Sequence, residues 1–196
     1  MRGLVLLAAY LLGSIPFAYL VVRLRAGMDI RTQGSGTVGA TNASRVLGLG
    51  WGLAVMLLDV GKGLLAVWLA TRITGNPAWH AAALCSAAVG HCFPLWLSFH
   101  GGKGLATTGG GLLLLSPLSL ALSFGVWLLG LLAFRVVAVA SSLTVALLPV
   151  VFWYVKKPSL LAELPVVVLS VVLLFKHAPN LRRWVRGEEP KVGGKP

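Results

Sequence analysis

The chain has 196 residues and a mass of 20.6 kDa; 57% of its residues are hydrophobic, only 11% are charged, and the mean hydropathy is +0.87. A soluble domain carries roughly 25% charged residues, and five acids cannot cover a water-soluble globule of this size, so the composition excludes one and indicates a multi-spanning membrane protein. The 17 Lys+Arg against 5 Asp+Glu leave a net charge of +12, which suits anionic lipid or an anionic substrate; nucleic acid is disfavoured, because the basic residues sit in short loops between apolar runs.

Met1 and Arg2 lead into an apolar run about 20 residues long without a small-x-small cleavage site, so it reads as a retained first span over about 3–22 and not as a signal peptide. Further apolar segments lie at about 51–71, 78–98, 105–115, 117–134, 136–155 and 158–175. A spanning helix needs about 20 residues. Six of the seven segments reach that length, and Leu105 to Leu115 is too short unless it is a half-helix or deeply buried. The expectation is an all-α polytopic membrane protein of about seven transmembrane helices, one of them short, with the N-terminus outside and the C-terminus cytoplasmic. That arrangement leaves Arg2, Arg72, Lys156 and Lys157 outside and Lys62 within a span, so that twelve of the 17 basic residues lie inside. Lys156 and Lys157 argue the other way locally, and omitting the short segment gives six passes. Residues 1–187 read as a single transmembrane domain, followed by a polar tail over 188–196 that is expected to be disordered. Cys85 and Cys92 both lie inside an apolar stretch, which excludes a disulfide framework.

Three polar clusters interrupt the apolar sequence, all on one side in the seven-span arrangement. The first runs from Asp29 to Arg45. Its glycines Gly34, Gly36 and Gly39 allow successive backbone N–H groups to form an anion-binding nest. A helix start near Thr41 or Asn42 would add its positive dipole end. The first turn carries Arg45 and no acid, the wrong sign for a helix N-terminus unless an anion completes the site; the plainer alternative is a loop whose Arg45 binds headgroups. The second cluster, Phe99 to Gly104, repeats the pattern with Gly101, Gly102, Lys103 and Gly104 before the short helix. It is not a Walker loop, since Leu97 and Gly104 stand where Gly and Ser or Thr are required. The alternative there is a tight turn with one interfacial lysine. In the third cluster, Lys176 to Arg183, His177 and Asn180 are three apart and can face the same way, although a juxtamembrane basic stretch also serves as a headgroup anchor.

Within the spans, Asp59 and Lys62 share one helical face, as a structural ion pair or as substrate contacts. Ser141, Ser142 and Thr144 form a polar spot that either helix packing or substrate contact explains. His91 and Cys92 have no third ligand spaced to join them, so no metal is expected. No H-x-x-x-x-D follows His80, His91, His100 or His177, no G-x-S-x-G elbow is present, and five acids make paired-carboxylate chemistry improbable. What remains is a protein built to hold anions at a membrane face.

Gly13-Ser14-Ile15-Pro16, the Asp29 to Arg45 block, Gly90-His91 through Gly102-Lys103-Gly104, and His177-x-x-Asn180 with Gly187-x-Glu189 resemble the signature blocks of the bacterial acyl-phosphate:glycerol-3-phosphate acyltransferases, the PlsY family. The family's usual Gly-Ser-Gly-Asn reads Gly34-Ser35-Gly36-Thr37 here. The resemblance implies an inner-membrane enzyme that moves a fatty acyl chain from acyl phosphate to the 1-hydroxyl of glycerol 3-phosphate, giving lysophosphatidic acid and inorganic phosphate, with no metal or bound cofactor. It implies Ser35, Arg45 and His177 as catalytic residues and Gly101, Gly102, Lys103, Gly104 and Asn180 as substrate contacts, with Glu188 or Glu189 structural. Gly34, Gly36, Gly39, Thr41, Asn42 and Ser142 complete the expected substrate-binding set. Expected partners are the two substrates and the bilayer, with the site facing the cytoplasm. Proton removal is expected to be substrate-assisted, to a phosphate oxygen, with His177 and Asn180 as orienting donors. A transporter of organic phosphate is the alternative; it would show inverted repeats and polar groups on both faces.

Overall fold

The computed structural model describes residues 2–193, and among these it is entirely helical. The first apolar run is split into α1 (Arg2–Ser14) and α2 (Phe17–Ala26), because Pro16 has no N–H to continue the ladder. At the break the Ile15 carbonyl turns out of the helix ladder and accepts from Phe17 N at 3.1 Å and from Lys62 Nζ at 2.9 Å. Two short helices cross the polar blocks, α3 (Ala40–Leu47) and α6 (Leu105–Leu115). The long ones are α4 (Leu49–Ile73), α5 (Pro77–Cys92), α7 (Pro117–Phe134), α8 (Val137–Lys156) and α9 (Leu160–Val185). Six stretches are long and apolar enough to cross a membrane, α1 and α2 together forming one of them and α6 falling short.

Small residues set the packing. A methyl group on Gly13 would collide with the Ala87 carbonyl, and one on Gly90 with the Tyr10 carbonyl, so α1 lies directly on α5. Gly63 meets the backbone of Thr107 and Gly110 that of Val60 in the same way, seating α6 against α4. The central helix α5 buries Ala81, Ala83, Leu84, Ala87 and Ala88 between α1, α6 and α9. α7 is peripheral: only Ser119, Ser123 and Gly130 are buried on it, while Leu118, Leu122, Phe124, Leu129 and Leu132 face outward where lipid would be.

Contacts at the C-terminal end of α9 bear on the number of passes. Lys103, at the start of α6, lies within electrostatic reach of Glu189, and the Arg135 carbonyl just after α7 accepts from Val192 N at 2.7 Å. Phe134 meets Trp184 edge-on, with ring centroids 6.0 Å apart. The chain therefore leaves this face at Leu105 and has returned to it by Phe134. α6 and α7 form a hairpin, α6 counts as a pass despite being only about 16 Å long, and the parity is seven.

Candidate functional site

The first polar block is a rigid platform. Asp29 caps a single 3-10 turn over Ile30–Thr32, accepting from Arg31 N at 2.9 Å and pairing with the Arg31 guanidinium at 2.6 Å. Those hydrogen bonds hold the Asp29 carboxyl below the usual carboxylate range. Asn42, 1% exposed, then clamps the loop from α3. Its Oδ1 accepts from Ser35 N at 2.9 Å, and its Nδ2 donates to the carbonyls of Gln33 at 2.9 Å and Ile30 at 3.3 Å. Asn42, expected among the substrate contacts, is thus spent on shaping the loop. Gly34 has φ +55°, and a Cβ there would strike Asn42 Oδ1, so glycine is required.

The nest expected from Gly34, Gly36 and Gly39 is largely occupied from within. Gly36 N donates to Gln33 O at 2.9 Å and Gly39 N to Thr37 O at 3.1 Å, in addition to the Ser35 amide held by Asn42. The loop instead presents the exposed Ser35 side chain and, one turn on, exposed Thr41. Arg45 also differs from expectation. α3 starts at Ala40 and ends at Leu47, so Arg45 lies in its last turn, where a cation suits the dipole. Its sign at that helix needs no anion to explain it.

At α6 the cation does precede the helix start. Gly104, at φ +78°, is the cap residue, no acid occupies the first turn, and Lys103 immediately precedes it. Gly101 N donates to Cys92 O at 3.2 Å and Gly102 N to His91 O at 3.1 Å, which pins the loop against the end of α5. These two amides are engaged, which leaves the first-turn amides of α6 as the free donors of this loop. Gly101, Gly102 and Gly104 are instead sites of close approach, to Pro94, His91 and Leu173 respectively. Lys176 closes the back of the loop, donating to Cys92 O at 3.0 Å and Gly101 O at 3.4 Å.

Lys103 has no hydrogen-bond or ion-pair partner among the described residues. Burial pushes its pKa down to about 8, and the positive fields of Arg183, Arg45 and Lys176 add to that against the opposing Glu189 carboxylate. Cations from all three blocks thus act on Lys103 together with one acid, and that acid is already engaged. Glu189 accepts from Asn180 Nδ2 at 2.7 Å and from Arg183 Nε at 2.8 Å.

The tail is therefore ordered where disorder was expected. Glu188 N donates to Arg183 O at 2.8 Å, Glu189 reaches the site, and Val192 bonds Arg135; residues 194–196 lie outside the described residues. Asn180, with its amide on Glu189, faces the same side as His177, which is 2% exposed. His177 Nδ1 lies 2.8 Å from the Leu173 carbonyl. A carbonyl only accepts, so Nδ1 carries a proton and the neutral ring has a bare Nε2. A donor role for His177 toward phosphate would need the charged ring. Ser142 is buried near the start of α8, its hydroxyl donating to Ala138 O at 2.7 Å, while Ser141 accepts from Trp127.

The pair within α4 is a buried ion pair. Lys62 Nζ lies 2.8 Å from Asp59 Oδ1, both are almost fully enclosed, and His91 Nδ1 lies 3.5 Å from the same oxygen. Sequence reasoning missed the third partner, the Ile15 carbonyl freed by Pro16, and also the capping role of Lys176. The Gly13-Ser14-Ile15-Pro16 block was the only sequence signal for the former.

A family model described as glycerol-3-phosphate acyltransferase matches residues 3–187. A glycerol-3-phosphate acyltransferase of Erythrobacter litoralis (strain HTCC2594) is 41% identical over 191 residues, covering 97% of this chain and 94% of that protein. One from Synechococcus sp. (strain JA-2-3B'a(2-13)) is 43% identical over 197 residues, covering 98% and 95%. The crystal structure of PlsY (YgiH), an integral membrane glycerol 3-phosphate acyltransferase, in its glycerol 3-phosphate form superposes with a TM-score of 0.91 at 32% identity, covering 98% of this chain and 96% of that one. Its lysophosphatidic acid form gives 0.88 at 30% identity, covering 97% and 94%.

Proposed function

The chain belongs to the glycerol-3-phosphate acyltransferase family of integral membrane enzymes, and from that premise we propose that it moves a fatty acyl chain from acyl phosphate to the 1-hydroxyl of glycerol 3-phosphate, releasing lysophosphatidic acid and inorganic phosphate. The observation that carries this reading is the buried Lys103 under the positive fields of Arg45, Lys176 and Arg183, with the one carboxylate acting on it, Glu189, already engaged. Such a cluster is unfavourable until anions neutralise it. Two phosphates side by side, that of glycerol 3-phosphate on the α6 N-terminus with Lys103 and that of the acyl donor toward Ser35 and Arg45, would do so. The basic residues gathered on this face support a bacterial cytoplasmic membrane with the site facing the cytoplasm.

In the proposed reaction the 1-hydroxyl oxygen attacks the acyl carbon and the bond from that carbon to the phosphate oxygen breaks. The hydroxyl proton passes to a phosphate oxygen, whose second pKa is about 6, and hydrogen phosphate leaves. The donor is already activated, so orientation and electrostatic stabilisation carry the catalysis. His177, held by the Leu173 carbonyl, and Asn180, fixed beside it by Glu189, are both oriented before substrate arrives. The test of the donor is purified protein with glycerol 3-phosphate and either palmitoyl phosphate or palmitoyl-CoA; turnover with the CoA thioester alone overturns it. For the proton, His177→Gln is expected to keep more activity than His177→Ala. Equal loss in both, with substrate affinity and folding intact, would make His177 the base.

A further inference from the structure

Beneath the loop that carries Lys103 lies a polar network that the proposed chemistry does not use. His91, near the end of α5, is 9% exposed. Its Nδ1 lies 3.3 Å from Thr107 Oγ1 on α6 and 3.5 Å from Asp59 Oδ1 on α4. Asp59 is held in turn by Lys62, and Lys62 by the Ile15 carbonyl. The other edge of the ring abuts the loop. A Cβ on Gly102 would coincide with His91 Nε2 and with the Val38 carbonyl of the first polar block, so the imidazole occupies the space where Gly102 has no side chain. The backbone carbonyl of His91 also accepts from Gly102 N at 3.1 Å. One histidine thus meets Gly102 through both main chain and ring, at a point where the two polar blocks touch.

We propose that His91 is a positioning residue for acyl transfer: braced by Asp59 and Thr107, its ring sets the height of Gly102 and hence the aim of the Lys103 ammonium and the α6 amides at the glycerol phosphate. It rests on the assignment of that loop to glycerol 3-phosphate. The brace ties α4, α5 and α6 together, and removing one charge from a buried pair is far more disruptive than trimming the His91 ring. Fixed geometry at this point matters, since displacing a binding group by about 1 Å can slow a reaction by about a hundredfold.

The experiment is a double-mutant cycle on kcat and KM, using His91→Gln, Lys103→Ala and both together, with the acyl donor and glycerol 3-phosphate varied separately. His91→Gln is expected to raise KM for glycerol 3-phosphate about tenfold, with the donor KM unchanged, and to add clearly less than that in the Lys103→Ala background, where only the α6 amides remain to be misaimed. An unchanged KM, or an effect that multiplies undiminished onto that of Lys103→Ala, overturns the proposal. If Lys103→Ala itself leaves KM for glycerol 3-phosphate unaltered, the loop assignment fails instead, and the two failures are separable. Should His91→Gln not fold, Thr107→Val removes the 3.3 Å hydrogen bond alone; a rise in the same KM supports the brace, and no rise refutes it.

Discussion

Replacing Lys103 by Arg separates its charge from its proton. The Lys103 ammonium stands at about 8 against an ordinary value of 10.5, chiefly because it is buried and also because Arg183, Arg45 and Lys176 surround it. That depression corresponds to about 3 kcal/mol against the charged form, which an arriving phosphate would offset. At pH 7 the free enzyme holds ammonium over amine by about 10 to 1, and at pH 9 the ratio inverts. Activity in kcat/KM for glycerol 3-phosphate is therefore expected to fall about tenfold per pH unit above pH 8. Stability should move the other way. Between pH 8 and 10.5 the unfolded chain holds the Lys103 proton and the folded chain does not, so this residue's destabilisation, complete below pH 8, is relieved as pH rises. Initial rates from about pH 6.5 to 9.5 at saturating donor, beside melting temperatures in the same detergent, measure both. Lys103→Arg, which stays charged throughout, should lose the falling limb. A limb that persists unchanged in Lys103→Arg, or its absence in the parent, would refute an ammonium requirement at this position.

Glu189→Ala frees Asn180 and Arg183 together, so it should cost about 1–3 kcal/mol of stability along with activity, read by thermal unfolding. Arg183→Ala should be measurably impaired through the same clamp, and not silent as an exposed tail residue would be. Gly63→Ala and Gly110→Ala each drive a methyl group into a facing backbone and should lower stability by about 1–3 kcal/mol; Gly61→Ala, with open space around it, is the control and should be neutral or slightly stabilising.

The spans were legible because lipid demands a run of apolar residues whatever their partners, and α6 was visible as too short for the same reason. Its status as a pass was not, because that depends on Arg135 meeting Val192 57 residues further along. The polar blocks could be recognised from their glycines and bases, but not which amides remain free. Asn42 reads as a helix-start residue, and only the folded loop reveals that it reaches back to Ile30, Gln33 and Ser35. Arg45 was misplaced by a few positions of helix register: α3 begins at Ala40 and closes at Gly48, φ +90°, just before α4 begins. The ordered tail escaped because the polar, Gly- and Pro-containing segment from Glu188 gives no local sign of the Asn180 amide that receives Glu189.

The proline break in the first span also bears on how the protein enters the membrane. Asp59 and Lys62 lie near the middle of α4, and each is worth roughly 2.5–3.5 kcal/mol against insertion at that depth. Beyond their mutual contact, Lys62 is completed by a carbonyl that only the earlier segment can offer, because Ile15, preceding Pro16, is held out of the helix ladder. Helix α4 thus inserts at a disadvantage on its own and gains a waiting acceptor when the first span is already in place, which couples the biogenesis of the second span to the first in the order of synthesis. Pro16→Ala, by restoring the ladder and withdrawing that acceptor, should lower the yield of inserted protein measured by glycosylation mapping of the 74–76 loop.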